Sequence, residues 1–130
     1  ETTFSTIGFA LKDRLNVIYT HQTEAEFKQK YDLAKLDPAK IRLTSKKPDQ
    51  LISDLNAEGF DQVAICGGST IYTMFLQAGL VDQFFLTVEP VLFGAGLKLF
   101  KDSYQQNLKL IESKKLNQAG TLLLHYETQD

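Results

Sequence analysis

Two adjacent glycines, Gly67 and Gly68, are followed at once by two hydroxyl residues, Ser69 and Thr70, and then by Ile71. Glycine lets a backbone approach an anion closely and adopt positive φ, while hydroxyls add hydrogen bonds without bulk. Where a strand hands over to a helix, such a turn aims amide N–H groups and the positive end of the helix dipole at a phosphate. The same residue types also serve plain tight turns and helix caps, so the motif by itself leaves both readings open.

Few other side chains offer chemistry. Cys66 is the single cysteine, which rules out an internal disulfide. With no His or carboxylate at nucleophile or metal-ligand spacing, it reads as a small core residue at a strand end. His21 reads either as plain surface or as an anion contact, and His125 as structural. Lys46 and Lys47 read as a solvated loop or as charge for a phosphate. Glu89, Asp61 and Asp82 are the acids nearest strand ends; none is assigned as catalytic, and no metal site is expected.

These residues need elements to position them. Residues 15–20 (LNVIYT) form a short β-branched run after a glycine-led loop, the pattern of a buried strand. Residues 23–36 carry Phe27, Tyr31 and Leu33 or Leu36 near helical spacing. Residues 41–44 alternate like a short edge strand, and Pro48 opens a helix with Leu51, Ile52 and Leu55 on one face and Gly59 after it. Residues 63–66 (VAIC) are continuously apolar, as in strands covered on both faces of a parallel sheet. Ser69 or Thr70 is expected to cap the next helix, with Ile71, Phe75 and Leu76 inward and Gly79 at its end.

Residues 84–93 read as a strand interrupted by Pro90, with Phe84 and Phe85 pointing to opposite covered faces. Alternation at Leu108, Leu110, Glu112, Lys114 and Leu116, a turn at residues 117–120, then Leu122, Leu124 and Tyr126 predict a closing antiparallel hairpin. Together this is a single three-layer α/β domain, with helices on both faces of a mixed, mostly parallel sheet.

The bulk numbers agree with one domain over residues 1–130: 43% hydrophobic residues can close one core. A formal charge of −2, from 14 basic and 16 acidic residues scattered along the chain, offers no field for nucleic acid or a membrane surface. A small-molecule partner and a reducing, cytoplasmic setting are the expectation, and no apolar run has the roughly 18 residues of a membrane helix.

The stretch VAICGGSTIY followed by AGLVDQFFLTVEPVLFGAGLKLF closely resembles the reductase domain of the bifunctional riboflavin-biosynthesis deaminase/reductase. Upstream, TFSTIGFALKDRLNVIYT resembles the dihydrofolate-reductase pattern. The resemblance implies a dihydrofolate-reductase-like fold and an NADPH-dependent reductase acting on a pyrimidine or pterin-like heterocycle. That activity would be of the 5-amino-6-(5-phosphoribosylamino)uracil reductase type. It implies further that Gly67, Gly68, Ser69, Thr70 and Ile71 hold the cofactor pyrophosphate, with Thr3 on its other side. Thr20, His21 and Ser45 would lie near the adenosine ribose and its 2′-phosphate. Ile7, Leu11, Arg14 and Thr87 would line the substrate pocket, Arg14 contacting an anionic tail.

The family commonly carries an Arg where this chain has Glu1, whose charge would repel phosphates. Its members also begin with a strand, a loop and a helix expected to precede residue 1 and to carry any proton-relay acid. Pairing into a homodimer is implied as well. A true dihydrofolate reductase and a non-catalytic nucleotide-binding relative are the alternative readings.

Overall fold

Thr23 shows how strongly local chemistry sets these elements. Its hydroxyl accepts from the Glu26 amide, and the Glu26 carboxylate reaches back to the Thr23 amide at 2.7 Å, a reciprocal cap that starts a helix. In this computed structural model the described residues are 2–7, 10–31 and 38–129. They run in the order α1 (Thr2–Ile7), β1 (Asn16–Tyr19), α2 (Glu24–Lys30), a single 3-10 turn (Pro38–Lys40), β2 (Ile41–Thr44), α3 (Pro48–Ala57), α4 (Ser69–Gln77), β3 (Gln83–Val88), β4 (Asn107–Lys115) and β5 (Leu122–Gln129). Contacts divide the chain into two compact units, Glu1–Gly68 and Ser69–Asp130.

In the first unit β1 and β2 pair in parallel, Asn16 opposite Ile41 through Tyr19 opposite Thr44. Ile18 is buried on this pair, and Leu51 and Leu55 of α3 are buried as their shared helical face requires. Pro48 stands at the first turn of α3, where its missing N–H costs nothing. Gly59 follows the helix at φ 90°, so the expected glycine stop is present. The Arg42 guanidinium grips the Glu58 carboxylate through two bonds of 2.8 and 2.7 Å and ties β2 to the end of α3. Helix α1, unforeseen in the sequence, is held by an aromatic cluster. Phe4 meets Phe27 at 5.7 Å and Tyr31 edge-on at 5.4 Å, and Phe27 is buried.

In the second unit β5 lies between β3 and β4, both antiparallel to it, so the predicted closing hairpin is present. Asn117 closes its turn: the side-chain carbonyl accepts from the Gly120 and Thr121 amides, while its amide donates to the Thr121 hydroxyl. That hydroxyl donates to Glu89 at 2.7 Å, pinning the hairpin end to the chain leaving β3. Helix α4 buries Thr73, Phe75 and Leu76. The Tyr104 hydroxyl donates to the Leu76 carbonyl and fixes the connection after Phe100.

The mixed α/β fold stands, with its antiparallel end; three local expectations do not. Residues 63–66 form no strand: they have no ladder partner among the described residues, Val63 is 41% exposed and Cys66 is exposed. An apolar run records that a segment is fit to be covered, and hydrogen-bonded neighbours decide whether it becomes a strand. Strand β3 stops at Val88, ahead of Pro90, which has no N–H for a ladder. Phe85 is not core: it is 57% exposed and lies flat on His125, centroids 4.2 Å apart.

The Arg42 contact sets a pH dependence. Hydrogen bonding to Arg42 holds the Glu58 carboxyl below its ordinary 4.5, so the folded value is depressed relative to the unfolded one. The stabilisation is complete above the unfolded value and is lost as pH falls through the folded one. Urea midpoints measured at about pH 6 and about pH 3 will therefore differ less in Glu58→Gln than in the unaltered chain.

Candidate functional site

At Gly67 the backbone adopts φ 111°, a conformation that side-chain-bearing residues rarely take, and the Gly67–Gly68 peptide bond is cis. Gly68 is different. A Cβ built on it would meet a single neighbour, the Thr3 hydroxyl at 3.7 Å, an ordinary van der Waals distance. Thr3 reaches this place because it belongs to α1, which Phe4 anchors against Phe27 and Tyr31. Two residues 65 positions apart, Thr3 and Gly68, are thus brought together within the first unit.

The helix expected after the glycines is present but begins one step early. Ser69 is already in its first turn, so the capping position falls on Gly68, which has no side-chain acceptor. The Ser69 carbonyl accepts from the Thr73 hydroxyl at 2.8 Å, and that hydroxyl accepts in turn from the Lys101 amide at 2.9 Å. Thr70 is exposed and Ile71 half-buried in the same turn.

A second cluster forms at the carboxyl edge of the parallel pair. Because Tyr19 lies opposite Thr44, the residues that follow them, Thr20 and His21 on one strand and Ser45 and Lys46 on the other, leave the sheet side by side. The Thr20 amide donates to the Thr44 carbonyl at 3.0 Å, extending the ladder by one bond. The Thr20 hydroxyl accepts from the Gln22 amide, and the Thr44 hydroxyl from the Lys46 amide. His21 and Ser45 are exposed. The Lys46 ammonium is paired with Asp54, which neutralises much of the charge it would bring to a phosphate. At the same edge burial pushes the Tyr19 phenol up, with Asp49 adding to the shift, so it stays neutral in ordinary buffers.

Of the residues expected at the substrate, Leu11 and Arg14 belong to the first unit and Thr87 to the second. Leu11 and Arg14 flank a loop closed by Asn16: the Leu11 amide donates to the Asn16 side-chain carbonyl at 2.9 Å, and the Asn16 amide donates to the carbonyls of Leu11, Arg14 and Lys40. Asn16 is the positioning residue that sequence reasoning missed. An Asn between a polar loop and an apolar run is the signal, since its side chain can replace backbone partners. Arg14 is exposed, and its Nε donates to the Lys12 carbonyl. Ile7 ends α1, but its side chain lies outside the described residues, as does Glu1. Thr87 sits in β3 of the second unit, opposite Leu123 and exposed. No cluster of three or more metal-binding side chains occurs among the described residues, and none of their helices is long and apolar enough to cross a membrane.

With this geometry in hand, comparison with known proteins is informative. The profile of the RibD C-terminal domain matches residues 8–122. The Bacillus subtilis (strain 168) protein YyaP is 34% identical over 61 residues, which are 46% of this chain and 32% of that protein. A protein of Shewanella sp. PV-4 ascribed to riboflavin biosynthesis has a structure that superposes with a TM-score of 0.77 at 21% identity, over 99% of this chain and 69% of that one. A pyrimidine reductase-like protein of Corynebacterium diphtheriae superposes with a TM-score of 0.60 at 22% identity, over 89% of this chain and 50% of the other. At such identities the structural likeness speaks for the fold, and the chain spans about a third of the length of YyaP.

The two glycines separate cleanly by experiment. Gly67→Ala forces a side chain into positive φ and is expected to cost about 1 kcal/mol or more in urea denaturation. Gly68→Ala meets only the Thr3 hydroxyl and is expected to leave the midpoint within about 0.5 kcal/mol of the starting value.

Proposed function

The chain belongs to the RibD C-terminal domain family, a family of reductase domains, and from that membership we propose that it holds NADPH for hydride transfer to a pyrimidine or pterin-like heterocycle. The reading is of the 5-amino-6-(5-phosphoribosylamino)uracil reductase type. The observation that carries it is the Gly67–Gly68 backbone beside the Thr3 hydroxyl, directly ahead of α4. A diphosphate is the ligand this reading assigns to that corner, where two consecutive residues carry no side chain and the Thr3 hydroxyl lies close to Gly68.

When bound, the cofactor supplies the hydride, and the protein's work is to hold two rings together and keep water away. In the proposed arrangement the backbone at Gly67 and Gly68 approaches the diphosphate, the Thr3, Ser69 and Thr70 hydroxyls donate to it, and Ile71 backs the turn. Thr20, His21 and Ser45, which emerge together from the parallel strands, take the ribose and its phosphate. Leu11 lines the substrate side, with Thr87 assigned to the ring and Arg14 to an anionic tail. The Asn16 clamp gives that role its rigidity, because it fixes the backbone on both sides of Arg14.

Calorimetric titration with NADPH tests the site without requiring turnover. Saturable binding is expected, and Gly68→Val should weaken it at least tenfold, about 1.4 kcal/mol, with little change in the denaturation midpoint. Unchanged affinity in that variant removes the site assignment. Absence of any saturable heat with the full-length protein overturns the NADPH reading and favours a merely structural, non-catalytic relative. Full-length protein that oxidises NADPH with the aminouracil substrate and not with dihydrofolate separates this reading from a true dihydrofolate reductase.

A further inference from the structure

Lys46 stands where the parallel pair ends, two residues beyond Thr44, and its amide donates to the Thr44 hydroxyl at 3.2 Å. That bond fixes its backbone at the strand end from which Thr20, His21 and Ser45 also emerge. The ammonium turns elsewhere and pairs with the Asp54 carboxylate on α3. Glu58, just after α3, holds Arg42, which lies two residues before Thr44 in β2. Helix α3 therefore runs back alongside the strand. Asp54, one turn ahead of Glu58, draws the Lys46 side chain back along β2 and not out beyond its end.

Lys46 and Asp54 line a cleft of about 450 Å³ together with Asp49, Gln50 and Ser53. Two carboxylates in that lining face one ammonium, so the cleft carries a net negative charge and repels a phosphate as it stands. The acidic field reaches the strand end, where Asp49 adds to the burial that raises the Tyr19 phenol.

The pair is also exchangeable. Its side chains are 57% and 42% exposed, and an ion pair in contact with water contributes little to stability. A phosphate monoester, with a charge of about −1.5 to −2 near pH 7, attracts an ammonium more strongly than one carboxylate does. Two anions thus compete for Lys46, one built into α3 and one that a ligand would bring.

We propose that Asp54 is a specificity-determining residue: by holding Lys46 along α3 it withholds an ammonium from the 2′-phosphate of a dinucleotide and narrows the preference for NADPH over NADH. This rests on the cofactor reading given above, with Thr20, His21 and Ser45 at the ribose and its phosphate. Lys46 joins them only to the extent that the phosphate displaces Asp54.

Calorimetric titration of the full-length protein with NADPH and with NADH, at a low ionic strength of about 0.05 M, tests it. Asp54→Asn frees Lys46 and leaves the Arg42 to Glu58 contact in place. It should tighten NADPH about threefold or more and change NADH less than about twofold. In a Lys46→Ala background the same change at Asp54 should shift the ratio of the two dissociation constants by less than about twofold, because the ammonium it frees is gone. Circular dichroism on each variant establishes that the fold is intact. A ratio unchanged by Asp54→Asn overturns the proposal. So does an equal gain in the Lys46→Ala background, which would mean direct repulsion between carboxylate and phosphate. If neither dinucleotide binds the unaltered protein, the cofactor reading falls and this inference with it, an outcome distinct from binding without the change in preference.

Discussion

The candidate site depends on a backbone conformation that excludes side chains. At Gly67 the chain turns with φ 111°, and at Gly68 it lies close enough to α1 for a Cβ to touch the Thr3 hydroxyl. A residue with a side chain at Gly67 would pull the turn toward an ordinary φ and move every amide downstream. The absence of two side chains therefore does positive structural work: it leaves backbone donors and one hydroxyl at a corner where a bulkier sequence would place carbon. Thr3 contributes only because Phe4, Phe27 and Tyr31 pack into a cluster that fixes α1. Apolar contact thus sets the geometry of a polar site.

The irregular segments follow a second common rule. Each is tied down by a side chain that bonds to backbone. Asn16 takes up the loop around Leu11 and Arg14, Asn117 closes the hairpin turn, Thr73 receives the Lys101 amide, and Tyr104 donates to the end of α4. Loops that cannot satisfy their amides in a ladder need such partners, and short amide and hydroxyl side chains supply them at little entropic cost. For a loop that presents an exposed Arg14, the consequence is a fixed backbone beneath an exposed, charged side chain.

The two sheets present contrasting edges. The parallel pair β1–β2 collects polar residues at its carboxyl end, where Thr20, His21, Ser45 and Lys46 emerge together, as ligand-binding ends of α/β sheets do. The antiparallel sheet instead exposes a strand with apolar residues and alternating charge.

Much of this was determined by the sequence alone, because it depends on neighbours along the chain. The Pro48 helix start, the Gly59 and Gly79 stops, the strand 41–44, the closing hairpin and the glycine turn are written in residues a few positions apart, where steric limits on φ and short hydrogen bonds decide. The nearness of Thr3 to Gly68, by contrast, has its physical basis in long-range packing. Tertiary structure alone decided that residues 63–66 have no ladder, that Phe85 and Cys66 are exposed, and that Asn16 serves four bonds at once. Burial and strand pairing are properties of what lies alongside a segment, and an apolar run or an alternating one has the same composition whether or not a neighbour is there to cover it.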